Sequence, residues 1–191
     1  MTQEEFKNLP IEEQRCLVAS DIITNVNAGT YVPTTAGYVI LPNDKVEEWN
    51  GSQLQSHIKE LKSCQACAVG CAFISLINFT NDYKVNENSF MLYSYYNASK
   101  AMAKLIPSMC ETFEDRNVAF WGKQLDLIEV AYMGSYSDCL QSFASEYTDE
   151  NGYTNTQIRQ AIIFGEAYQN NGDRLVAIME NVVKNRGTFI P

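Results

Sequence analysis

The chain has 191 residues, of which 46% are hydrophobic, 12% aromatic and 19% charged, enough to bury a sizeable core in one domain. Ten Gly and five Pro without a dominant repeat exclude collagen-like and low-complexity classes, and 9 Phe, 11 Tyr and 2 Trp argue against wholesale disorder. Fourteen Lys and Arg against 23 Asp and Glu give a formal charge of -9, so neither nucleic acid nor an anionic membrane surface is an expected partner.

The segment Met1-Thr2-Gln3-Glu4-Glu5 has no basic region leading into a hydrophobic run, so no secretory leader is expected. The six cysteines, at 16, 64, 67, 71, 110 and 139, then read as free thiols in a reducing cytosol. Pro10 suits a helix start, Glu12 and Glu13 complement its positive end, and Val18, Ile22, Ile23 and Val26 keep helical spacing. These signals predict a helix over about 10–28, with Gly29 as a left-handed stop and a short turn or helix before it. Residues 30–33 and 37–41 are β-branched and aromatic, which predicts a hairpin across Thr34-Thr35-Ala36 with Pro33 at a strand end or an edge.

Residues 42–51 read as a polar loop, and from Ser52 the spacing of Leu54, Ile58 and Leu61 is helical. The uncharged stretch from Cys64 to Asn81 has too short an apolar part for a bilayer crossing of about 20 residues. It predicts a helix buried on all sides, with large groups at Val69, Phe73, Leu76 and Ile77 and a small stripe at Cys64, Cys67, Ala68, Cys71 and Ser75. Residues 90–96 fit a strand or a helical first turn equally, and further helices are expected near 98–106, 108–114, 116–133 and 137–147. Two last helices, at 155–169 and from Asp173 to about 186, predict an antiparallel αα-hairpin. Its second helix would be capped by Asp173 and bury Leu175, Ile178, Met179, Val182 and Val183. Gly29-Thr30-Tyr31-Val32-Pro33 is echoed by Gly187-Thr188-Phe189-Ile190-Pro191, each just after a helix, as two extended segments of one small sheet would be. The expected fold is therefore mainly α. It is a single-domain helical bundle over 1–191 with a small β-hairpin at about 30–41 and a C-terminal αα-hairpin.

Cys64-x-x-Cys67-x-x-x-Cys71 falls on one stripe of a continuous helix, and His57 and Glu60 extend it. Three thiolates and an imidazole satisfy zinc's ligand chemistry, but four ligands from one straight helix cannot enclose the ion. Small buried thiols at a close helix contact fit better, so no metal is assigned. A thiol nucleophile needs a base; His57 is the only histidine and lies about 10 Å along the axis from Cys64 in such a helix. No HExxH, phosphate-binding Gly loop, nucleophile elbow or kinase signature occurs, and no cofactor is expected. Glu129, one turn from Asp126 and near Trp121, would titrate high if buried, or would lie on an exposed face or pair with Arg116 or Arg159. Tyr93, Tyr95, Tyr96 and Trp121 offer aromatic area for a binding surface, with Arg116 as a local cation.

The early helix with its Gly29–Pro33 and Gly37-Tyr38-Val39 segments, Ser63-Cys64-Gln65-Ala66-Cys67-Ala68-Val69-Gly70, the run Gln124–Tyr132, and Leu175-Val176-Ala177-Ile178-Met179-Glu180-Asn181 occur in that order. Together with the closing Gly187–Pro191 segment, they resemble a group of small phage and bacterial proteins of unassigned function. The resemblance implies a cytosolic protein, phage-encoded or bacterial, and brings no active-site residues with it. The expected function is stoichiometric binding of a host protein or a small signalling molecule. The alternatives are an enzyme using carboxylates in an interhelical pocket and a structural or assembly protein, and a homo-oligomer is compatible with each.

Overall fold

The computed structural model describes residues 1–35, 39–40, 63–79, 123–134 and 155–191. Helix α1 (Gln3–Lys7) opens on a capping box. Glu5 N–H donates to Thr2 Oγ1 at 3.2 Å, and Thr2 N–H donates back to Glu5 Oε2 at 2.7 Å. Five residues cannot hold a helix alone, and the anchor is Phe6, fully buried and stacked on Phe79 at 5.2 Å between ring centroids. Helix α2 (Ile11–Asn27) starts after Pro10, whose carbonyl accepts from Glu13 and Gln14, and buries Val18, Ala19 and Ile22. It closes as expected: Gly29, at φ 73°, takes the left-handed position, its N–H donates to Val26 O and Thr30 N–H to Asn25 O.

Two short strands follow, β1 (Tyr31–Pro33) and β2 (Val39–Ile40), where extended segments were expected. They do not form the expected hairpin. A third strand, β3 (Cys64–Ala66), lies between them, parallel to β1 with Tyr31 opposite Cys64 and antiparallel to β2 with Val39 opposite Ala66. Period and propensity favour the nearest strand in sequence, whereas β3 finds backbone partners on both sides and so displaces the local pairing. Pro33 is the last residue of the outer strand β1, where its missing N–H costs no ladder bond.

Helix α3 (Ala68–Phe79) is buried along Ala68, Val69, Cys71, Ala72, Ile74, Ser75 and Leu76, as an all-apolar segment should be. Helix α4 (Lys123–Met133) buries Leu127 to Tyr132 without interruption. Helices α5 (Asn155–Glu166) and α6 (Asn171–Lys184) have nearly the predicted bounds, but each takes its main partner elsewhere: α5 packs on α4 and α6 on α2. Gly165 explains the first choice. A Cβ there would stand 1.8 Å from the Ala131 carbonyl oxygen, so α4 and α5 touch backbone to backbone. The cap of α6 is Asn170, not Asp173: Asp173 N–H donates to Asn170 Oδ1 at 2.7 Å, and Asp173 sits one turn in, at the positive helix end. Leu175, Ile178, Met179 and Val182 are buried as expected, whereas Val183 is 38% exposed.

Residues 187–191 do not join the sheet. Gly187 N–H donates to Val182 O at 2.8 Å and Arg186 N–H to Val183 O at 3.2 Å, closing α6 with Arg186 itself at φ 53°. The echo survives in burial alone: Tyr31 and Phe189 point inward, Val32 and Ile190 outward. The described residues are thus mainly helical, and no helix among them is long and apolar enough to cross a membrane.

Candidate functional site

Of the residues singled out from sequence, Tyr93, Tyr95, Tyr96, Arg116 and Trp121 lie outside the described residues, as does His57. Glu129 is described and is 6% exposed on the inner face of α4. It faces the cysteines. Its negative charge adds to the upward shifts of the Cys67 and Cys71 thiols and of the Tyr132 phenol, so these four side chains share one electrostatic environment where α3 meets α4.

The thiols do not share a helical stripe. Cys64 belongs to β3, Cys67 precedes α3, and Cys71 lies in its first turn. Cys67 caps that turn: Gly70 N–H donates to its Sγ at 3.4 Å, and Cys71 N–H to its carbonyl at 2.9 Å. Cys71 Sγ–H points back to Ala66 O at 3.9 Å. Burial pushes the Cys64 thiol up to about 11, and burial raises Cys67 and Cys71 well above the ordinary thiol range. All three are neutral at pH 7, which suits packing and opposes both nucleophilic attack and metal ligation. Among the described residues no three His, Cys, Asp or Glu side chains converge as a metal site would require.

Next to the thiols, one turn along α3 from Cys71, a polar network ties the sheet to two helices. Tyr31 Oη lies 3.2 Å from Ser75 Oγ, accepts from Asn78 Nδ2 at 3.2 Å, and donates to Asp21 Oδ2 at 3.4 Å. Burial dominates its titration and raises the phenol, so this hydroxyl stays protonated and structural. Arg174 does a similar job at the helix ends. Its Nη1 donates to Tyr132 O at 2.9 Å and its Nη2 to Tyr168 O at 2.8 Å, placing a cation against carbonyls at the negative ends of α4 and α5. Gly134, at φ 63°, makes room for that guanidinium: a Cβ there would meet Nη1 at 3.0 Å.

Sequence reasoning missed this network and this clamp, because their members lie far apart along the chain: 44 positions from Tyr31 to Ser75 and 42 from Tyr132 to Arg174. The Tyr31 position within the Gly29–Pro33 echo was the one visible signal. Chemically, the Tyr31 and Tyr132 phenols and the Cys64, Cys67 and Cys71 thiols are held in their neutral forms, beside the buried carboxyl group of Glu129. No family model, curated protein or solved structure matches the chain.

Proposed function

We propose that this chain is a binding protein, encoded by a phage and working in the host cytosol, that captures a host protein or a small signalling molecule one for one without converting it. The observation that supports this reading is the state of the buried reactive groups. Cys64, Cys67 and Cys71 are neutral and enclosed, with Cys67 spent as a helix cap, and the Tyr31 hydroxyl is spent on the network with Asp21, Ser75 and Asn78. An enzyme using carboxylates is the second reading, and buried Glu129 is its best residue. Acid–base work between carboxylates needs two whose environments drive their pKa values apart, so that reading requires a second carboxylate beside Glu129. Aromatic area at Tyr93, Tyr95, Tyr96 and Trp121, with Arg116 nearby in sequence, supplies the contact chemistry for a partner.

The test is capture from host lysate, followed by incubation of the captured ligand in excess over protein and its recovery after denaturation. Intact ligand at one equivalent per chain is expected. Progressive conversion of the excess would replace this reading by the enzyme.

A further inference from the structure

The turn from α5 into α6 reads Asn170-Asn171-Gly172-Asp173, and its residues are held unequally. Asn170 is the cap: its Oδ1 accepts from Asp173 N–H at 2.7 Å and its carbonyl from Arg174 N–H at 3.1 Å. Its Nδ2 also donates to Asp173 Oδ2. Asn171 and Gly172, the first two residues of α6, are not tied in this way. Among the described residues the Asn171 carboxamide makes no hydrogen bond, and neither does the Gly172 N–H, one of the donors that a helix start leaves without a partner. Both residues are half-buried, within reach of water. A free carboxamide therefore precedes a free main-chain N–H, on a residue with no Cβ to hinder rotation.

We infer that Asn171 is a site of self-modification, at which the Gly172 nitrogen closes on the Asn171 side chain, ammonia leaves, and water opens the ring to an aspartyl or an isoaspartyl residue. Water is the sole co-reactant, and nothing is oxidised or reduced. Gly172 N gives up its proton and bonds Asn171 Cγ, while the Cγ–Nδ2 bond breaks and Nδ2 departs as ammonia with that proton. Water then adds to one of the two ring carbonyls. Breaking the new N–Cγ bond leaves aspartate. Breaking the original peptide bond instead leaves the main chain running through the side-chain carbons of residue 171.

The fold slows this reaction without forbidding it. For the ring to close, the Asn171 main chain must rotate out of its helical conformation, which parts Asn170 from Asp173 and Arg174. Losing those two hydrogen bonds corresponds to about a 30-fold slowing against an unstructured peptide. Either product adds one negative charge to the formal -9 of the chain. Aspartate at the first position of α6 complements the positive helix end. The isoaspartyl form has a longer main chain, which takes Asn170 away from Asp173 and Arg174. Arg174 in that same turn binds Tyr132 O and Tyr168 O, so the isoaspartyl form loosens the joint of α4, α5 and α6 whatever the chain binds.

The test ages the full chain at pH 8 and 37 °C and follows its tryptic peptide 160–174 by mass spectrometry, beside an acetylated synthetic peptide of that sequence. The peptide from the aged chain should lose one ammonia and gain one water, with fragment ions placing the change at Asn171. Methyl transfer by an isoaspartyl methyltransferase should mark the isoaspartyl part. Asn151-Gly152 falls in a different tryptic peptide, 124–159, and is read separately. Gly172→Ala, whose methyl would meet only Asn170 Oδ1 at 3.3 Å and Val26 Cγ1 at 4.0 Å, should slow the change at least about tenfold. Asn170→Ala, which removes the cap, should speed it about fivefold. The isoaspartyl form, separated chromatographically, should unfold at a lower urea midpoint than the unmodified chain. No change at Asn171 over about 100 half-times of the synthetic peptide overturns the inference. A change confined to Asn170, or an undiminished rate in Gly172→Ala, overturns it as well. Equal urea midpoints for the two forms overturn the loosening of the helix joint.

Discussion

Replacing a helical glycine by alanine ordinarily stabilises a protein by about 0.8–1.0 kcal/mol, because glycine gives up more backbone freedom on folding. Gly165→Ala should do the reverse. The added Cβ would lie 1.8 Å from Ala131 O and 2.8 Å from Ala131 C, both backbone atoms of the facing helix. Carbon and oxygen rest near the usual non-bonded separation of roughly 3.5 Å, so α4 and α5 must part by about 1.5 Å locally. Neither atom is the far end of a flexible side chain, so no rotamer change relieves the contact. Parting the helices loosens the packing of Ile128, Ala131, Ile158 and Ala161, all buried near or on these two helices. An overpacking cost at the upper end of about 1–3 kcal/mol outweighs the propensity gain of about 1 kcal/mol, for a net loss of roughly 1–2 kcal/mol. Equilibrium urea unfolding followed by helical circular dichroism should show the midpoint falling by about 1 M, with the slope unchanged. Gly172→Ala is the control: its Cβ would meet only Asn170 Oδ1 at 3.3 Å and Val26 Cγ1 at 4.0 Å. Its effect should stay within about 1 kcal/mol of zero. A Gly165→Ala midpoint equal to or above wild type would refute the backbone contact between α4 and α5.

Other expectations follow from the same contacts. Arg174→Met removes two charge-assisted bonds, to Tyr132 O and Tyr168 O, and should cost about 2–4 kcal/mol in urea unfolding; a loss below about 0.5 kcal/mol would show that water serves those carbonyls equally well. Ile178→Ala should cost about 2–5 kcal/mol if α6 is anchored on α2 through that side chain, and an unchanged midpoint would show the face is not core. The Tyr132 hydroxyl is buried and makes no hydrogen bond, so Tyr132→Phe should leave stability unchanged or raise it by about 1–2 kcal/mol; a clear loss would reveal a bond the structure lacks. Cys64 is raised on folding from 9.0 to about 11, so its neutral thiol contributes stability in full below pH 9. That contribution should fade as the pH rises from 9 to about 11, because the unfolded chain ionises first. Unfolding titrations should show a shallower decline over that window in Cys64→Ala, and identical declines would refute the shift.

Among the described residues the helices were legible because helices are local; those expected from Ser52 and near 98–106, 108–114 and 137–147 lie outside the described residues. Pro10 and Gly29 bracket α2 in the sequence as they do in the structure, and the apolar positions 175, 178, 179 and 182 marked the inner face of α6 correctly. Partnerships were not legible. The proximity of α5 and α6 in sequence suggested a hairpin, yet a glycine at 165 lets α5 reach the backbone of α4, and that contact is 34 positions away in sequence. The cap of α6 shows the same limit on a smaller scale, since Asn170 and Asp173 are both good capping residues and only the backbone turn decides between them.

The cysteines carry this argument to the function. Read as one helix, Cys64, Cys67 and Cys71 form a stripe that invites a metal or a redox pair. The structure divides them by strand pairing at Cys64–Ala66, a contact with residues 31–33 and 39–40 that no periodicity within 64–79 could reveal. Once divided, each thiol has a structural duty or a buried seat, and Glu129 nearby makes Cys67 and Cys71 harder still to ionise. A site meant to activate a thiol would set a cation or a helix N-terminus against it; the N-terminus of α3 does lie at Cys67, but burial and Glu129 outweigh the Gly70 N–H and keep the thiol neutral. Arg174, the cation beside Tyr132, is turned to the carbonyls of Tyr132 and Tyr168. Among the described residues, the buried polar groups of this interior hold helices and sheet in place.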